Sequence, residues 1–179
     1  DSTNLALTVS RAINDLEFAH CLVVERRVDR TSLSSKSSTN AYVFPLWSKI
    51  AAGERLRRPN INRNSAQVFG KALGLNYEDG IPRGEQESFD SDFQRQKAEQ
   101  LGLLETTWDG RGDLQKTFGP RDLFDYIYAV LHSPAYRSRY AEFLKSDFPR
   151  IPTPATRNTF AALAALGRQL IALHLLRPE

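Results

Sequence analysis

Apolar residues recur most regularly between Thr117 and Pro154. Leu123, Phe124, Ile127, Val130 and Leu131 fall at i, i+1, i+4, i+7 and i+8, the stripe of a helix with one buried face. Gly119-Pro120 breaks whatever precedes it, and a proline at a first helical position gives up an N–H that has no partner there. Asp122 suits the first turn, where the helix dipole favours negative charge. Ser133-Pro134 repeats the start signal and predicts a second helix. That helix is expected to bury Tyr136, Tyr140, Phe143 and Leu144, with Arg137, Arg139, Glu142 and Lys145 on the wet side. Pro149, Pro152 and Pro154 then hold the exit extended.

Upstream, the period changes to two. Asn4 to Arg11 alternates, with Leu5, Leu7 and Val9 on one face, and reads as a strand. Phe18 to Val28 and Ala41 to Trp47 read as two more strands, and Pro45 places the latter on an edge or ends it. Thr31 to Asn40 is dense in hydroxyls and reads as a loop. Asn64 or Ser65 is expected to cap a short helix carrying Val68, Leu73 and Leu75, with Gly74 as its stop. Tyr77 to Ser88 reads as a loop, Phe89 to Leu104 as a helix, and Trp108 to Gly119 as a turn-rich connection. A last helix opens at Thr156 or Thr159 and buries Phe160, Leu163, Ala164, Gly167, Leu170, Ile171 and His174. The pattern predicts an α+β fold. Residues 1–63 form a small, mainly antiparallel β-rich part with basic loops, and residues 64–179 a mainly helical scaffold, together one compact domain.

Composition adds little at the level of the whole chain. It is 41% hydrophobic and 25% charged with a net charge of +3, an ordinary globular balance. The distribution of charge says more. Residues 1–63 hold ten Lys/Arg against six acids, net +4, whereas residues 75–113 hold four against ten, net −6. A basic lobe beside an acidic segment suits a polyanion-binding face of limited extent. Cys21 is the single cysteine, so no disulfide framework is written in the chain. No signal peptide or membrane-spanning run stands out, and a cytoplasmic protein is expected. The chain starts at Asp1 and has no methionine, which reads as a piece of a larger polypeptide.

Catalytic motifs are missing. There is no G-x-G-x-x-G, no G-x-x-x-x-G-K-[ST], no G-x-S-x-G, no H-E-x-x-H and no Asn-Pro-Pro-aromatic run. His20, His132 and His174 share no ligand-like spacing and are read as structural, His132 bonding a terminal carbonyl of its own helix. Asp122 and Asp147 mark helix ends rather than an acid/base pair with Asp125. Tyr126, Tyr128, Tyr136 and Tyr140 at helical spacing are read as packing residues with hydroxyls at the rim, rather than as a stacking platform for bases. Arg150 is read as structural ahead of a phosphate contact.

What remains is recognition chemistry. Reading a duplex needs phosphate contacts plus a few side chains at base edges; Arg suits guanine, and Asn or Gln suits adenine. Arg26, Arg27, Arg30, Ser34, Ser35, Lys36 and Asn40 supply this beside a strand, and Arg55, Arg57, Arg58 and Arg63 form a second cluster. Arg11 belongs to the same basic part.

The run D-Y-I-Y-A-V-L-H-S-P-x-Y-R-x-x-Y-x-x-F-L-K-x-D-F-P-R-I-P, Asp125 to Pro152, resembles the C-terminal specificity region of type ISP restriction–modification enzymes. Those large single-chain proteins join nuclease, ATP-driven translocase, N6-adenine methyltransferase and target recognition. The resemblance implies a target recognition domain that binds double-stranded DNA beside a methyltransferase domain of the same polypeptide and is not itself catalytic. It implies no cofactor in these residues, with S-adenosylmethionine, ATP and Mg belonging to the parent protein. Two alternatives stay open: a protein-interaction domain using the aromatic helical stretch, and a small hydrolase built on His132 with Asp125 or Asp147.

Overall fold

Three strands of alternating pattern form one sheet because each has an apolar face to bury. The computed structural model describes residues 4–11, 13, 18–25, 32–33, 40–48, 58–79 and 109–177. β1 (Ala6–Ser10) is the central strand, β2 (Cys21–Val24) and β3 (Ala41–Pro45) its neighbours, in the order β2-β1-β3. Both pairings are antiparallel, with Leu7 opposite Val23 and Phe44, and Val9 opposite Cys21 and Tyr42. These six side chains share the face turned to the helices. β2 and β3 therefore run parallel to each other on either side of β1. β3 is an edge strand, where Pro45 is tolerated.

α1 (Arg63–Leu73) follows. Its cap is Asn62, whose side chain accepts the Ser65 N–H, rather than Asn64 or Ser65 themselves. Gly74 ends it in the left-handed conformation at φ 68°, a position that favours glycine. Val68 is exposed and Leu75 lies beyond the helix, so the inner face is instead Ala66, Gly70 and Leu73. The stretches expected to be loops contain a short parallel pair, β4 (Asn76–Tyr77) and β5 (Thr117–Phe118). Two residues are too few to show a period. The expected helix at 89–104 lies outside the described residues.

α2 (Pro120–His132) and α5 (Arg157–His174) make the main helical contact. They meet at Gly167, where a Cβ would stand 1.9 Å from the Asp125 carbonyl oxygen. Between them, the expected single helix is two pieces, α3 (Pro134–Arg139) and α4 (Ala141–Leu144). The break falls at Tyr140, whose backbone leaves helical geometry (φ −110°, ψ 21°) and whose side chain is exposed rather than buried. Thr156 caps α5 through the Thr159 N–H.

The core runs through both parts of the chain. Phe69, Phe118, Tyr126 and Phe160 meet with ring centroids 5.3–5.9 Å apart. On the other side Tyr42 and Phe44 of β3 pack edge-on against Phe148, at 5.0 and 5.8 Å. The result is an α+β fold. No helix among the described residues is long and apolar enough to cross a membrane.

Candidate nucleic-acid interface

The sheet decides where the basic candidates can gather. Four of them lie among the described residues: Arg11, Asn40, Arg58 and Arg63. Arg26, Arg27, Arg30, Ser34, Ser35, Lys36, Arg55 and Arg57 lie outside them. The register Ser10↔Ala41 puts Arg11 and Asn40 at one end of the sheet. Arg58 belongs to the opposite end: its carbonyl accepts the Ser48 N–H, Pro59 pairs with Trp47, and the Asn60 N–H reaches the Leu46 carbonyl. Glu25 also stands at that end, because Val24 pairs with Ala6. Arg11 and Asn40 are thus separated from Arg58 by the length of β1.

Arg11 and Arg63 have carboxylate neighbours. Arg11 Nε is 3.5 Å from Asp147, in a pair open to solvent on both sides. Arg63 is 3.3 Å from the more buried Asp79. The exposed Arg11 pair holds its partner weakly, so a phosphate can displace Asp147 there at little cost, whereas freeing Arg63 would leave the buried Asp79 carboxylate unpaired. Asp147 thus faces Arg11 at the end of β1 as well as closing the helix before it.

A largely buried charge network that sequence reading missed sits at the start of α2. Arg111 reaches Asp125 at 2.5 Å, Asp122 at 3.5 Å and Asp109 at 3.1 Å. Asp122 also accepts the N–H groups of Gly112 and Gly119. Burial pushes both Asp122 and Asp125 upward; the two backbone donors and Arg111 oppose it at Asp122, and Arg111 at Asp125. Together they fasten the turn before β5 to the start of α2. In that turn Asp113 Oδ1 accepts the N–H groups of Gln115, Lys116 and Thr117, and its pKa falls to about 2. Spacing gives no sign of this, because Arg111 and Asp125 are 14 residues apart.

Tyr126, Tyr128 and Tyr136 are packing residues with a polar tip, as read from the sequence, whereas Tyr140 is exposed. Tyr126 donates to the Pro152 carbonyl at 2.7 Å and Tyr136 to that of Arg150 at 2.8 Å, which pins the proline-rich exit. Arg150 itself lies 4.8 Å over the Phe143 ring. Tyr128 hydrogen-bonds His174 Nδ1 at 2.5 Å. The His132 and His174 rings are 5.2 Å apart although their spacing gave no hint of it. His132 does not bond its helix carbonyl. Arg137 donates to the Leu131 carbonyl instead, and stands 3.1 Å from His132 Nδ1. Asp125 is taken up by Arg111 and Asp147 by Arg11, so neither pairs with His132 in the way a hydrolase would need. No group of three or more metal-ligating side chains occurs among the described residues.

A small antiparallel sheet covered by a helical scaffold defines the α+β class of the fold. The chain belongs to the Type ISP C-terminal specificity domain family, matched over residues 1–179. Its fold is similar to part of the cryo-EM structure of the DrdV–DNA complex (TM-score 0.57, 25% identity), with 96% of this chain and 12% of that chain covered. It is also similar to part of a nuclease-deletion mutant of the Type ISP restriction–modification enzyme LlaGI, solved with a DNA substrate mimic (TM-score 0.52, 23% identity, 97% of this chain and 10% of that one). The chain therefore spans about a tenth of the polypeptides it matches. No curated protein matches it.

Proposed function

We propose that this chain recognises double-stranded DNA by sequence, as the target recognition domain of a restriction–modification DNA methyltransferase, and makes or breaks no covalent bond itself. The observation that carries the reading is the specificity-domain match over all 179 residues. The DNA in the DrdV complex supports it. On this reading the parent protein supplies S-adenosylmethionine-dependent adenine methylation and ATP- and Mg-dependent work. The present residues hold one face of the duplex so that an adenine can turn out into a distant pocket. Arg26, Arg27, Arg30 and the hydroxyls around Lys36 contact phosphates.

The test is duplex binding by the natural polypeptide that carries these residues, measured across a salt series. Phosphate neutralisation releases counterions, so log K falls linearly with log salt, by about 0.9 per phosphate contact. Changing Arg26, Arg27 and Arg30 to Ala lowers affinity and flattens that slope. An unchanged slope and affinity at matched salt removes this loop from the interface. Salt-insensitive association without duplex retention removes the DNA reading altogether.

A second reading, a structural domain that packs on a neighbouring catalytic domain, is favoured by one observation. The outer side of α5 and the turn after it expose Leu166 (57%), Leu173 (61%) and Leu176 (92%). An apolar stripe of this kind suits contact with another protein surface. The two readings are compatible if the domain docks by α5 and binds DNA by the basic side chains between Arg26 and Asn40.

A further inference from the structure

α1 is fixed on its inner side and unused on its outer side. Ala66, Gly70 and Leu73 are buried, and Phe69 stacks into the aromatic core. The approach at Gly70 is close: a Cβ there would stand 2.5 Å from the Leu75 carbonyl oxygen and 2.7 Å from Phe118 Cε1. The helix is thus held rigidly at a set distance from the core. Opposite this face, at i, i+3, i+4 and i+7, lie Asn64, Gln67, Val68 and Lys71, all exposed, Val68 at 71%.

Three features separate this face from an ordinary solvated one. α1 contains no acid, whereas a surface helix usually mixes both signs. Its cap is Asn62, so Asn64 is not spent on capping, although asparagine favours caps over helix interiors. A valine, Val68, stands exposed in the middle of the polar stripe. The set matches base edges in a major groove. Asn and Gln bond adenine at N6 and N7, Lys reaches guanine or phosphate, and an apolar side chain meets the thymine methyl. The occupant is named by charge: the exposed face carries Lys71 and no carboxylate of its own, and Arg63 at the helix start is paired with Asp79, so the face complements a polyanion. A helix of 11 residues is about 16 Å long, and with side chains about 10–12 Å across. A major groove about 12 Å wide admits it.

We propose that α1 lies in the major groove of the bound duplex and that Asn64 and Gln67 read base edges there, with Val68 and Lys71 beside them. This rests on the DNA-recognition reading above. The test uses the natural polypeptide and a randomised duplex pool, with the retained sequences read out and total affinity measured alongside. Asn64→Ala and Gln67→Ala each relax preference at one base pair, by about tenfold or more, with pooled affinity little changed. Gln67→Arg moves the preferred base from adenine towards guanine. All of these side chains are exposed, so the variants keep the wild-type Tm. Unchanged preference in Asn64→Ala, Gln67→Ala and Gln67→Arg overturns the assignment of α1. If the wild type still selects sequence and the Arg26, Arg27 and Arg30 variant still weakens binding, the DNA reading survives that result. A wild type that retains no duplex in preference to free solution sinks both. A lowered Tm for Val68→Asp without DNA shows that the face packs on protein, and also overturns the proposal.

Discussion

His132 shows how far one side chain is governed by what surrounds it. Its ring lies 4.5 Å from that of Tyr128 and 5.2 Å from that of His174, with the Arg137 guanidinium at Nδ1. Burial first, then the charges of Arg137 and His174, lower its pKa from 6.5 to about 4, and the Cys21 backbone opposes them weakly. The sign follows from linkage. Above 6.5 both folded and unfolded states hold a neutral ring and nothing is lost. As pH falls from about 6.5 to about 4 the unfolded state takes up a proton that the folded state refuses. Stability therefore drops across that window, with the folding constant falling by up to about tenfold per pH unit. His132→Gln removes this part of the acid sensitivity while costing some packing. The check is denaturant unfolding at several pH values for both proteins. Parallel curves through the window would mean that His132 contributes no proton linkage.

At the scale of elements, period and punctuation carried most of the fold. The long stripe of α2, the caps at Ser133 and Thr156 and the alternation of β1 are local facts, and a local reading finds them. The break at Tyr140 was hidden because apolar spacing continues across it, and β4 and β5 because each depends on a partner far along the chain. The site was legible only as composition. Sequence showed basic and amide side chains in two clusters, but not that the sheet sets Arg11 and Asn40 at one end and Arg58 at the other. Nor did it show the Arg111 network, which depends on a turn folding back onto a helix start. Gly167 is the element-scale feature with the clearest consequence. Its missing side chain lets α5 lie directly on the α2 backbone, so Gly167→Ala must drive the helices apart or bend one of them. Overpacking of this kind costs about 1–3 kcal/mol. Alanine is the better helix former by about 1 kcal/mol, so a variant as stable as wild type would require the two helices to yield easily. Thermal or urea unfolding of Gly167→Ala measures which term wins, and a lowered midpoint is expected.

At the scale of the molecule, the question is whether sheet and helices are one folding unit. The chain divides by pattern into a β-rich beginning and a helical remainder, but the contacts do not respect that division. Leu5, Val9, Cys21 and Val23 of the sheet belong to the same buried cluster as Tyr128, Phe160 and Ile171 of the helices. The edge strand leans on Phe148 through Tyr42 and Phe44. Ile13 donates its N–H to the Lys145 carbonyl, Arg11 pairs with Asp147, and Arg177 after α5 pairs with Glu25 after β2. The inner face of the three-stranded sheet is covered by the helices and shares their core. The two parts are therefore expected to unfold together. Trp47 reports on the sheet, since its N–H and carbonyl both bond Asn4 next to β1. With Trp108→Phe leaving Trp47 as the sole tryptophan, urea unfolding followed by its fluorescence is expected to overlay the loss of helical circular dichroism, with the same midpoint and slope. Two separated transitions would make the sheet an independent unit, free to shift its basic ends relative to α1. Coincident transitions fix those ends and α1 on one rigid body, the arrangement that reading a single stretch of duplex requires.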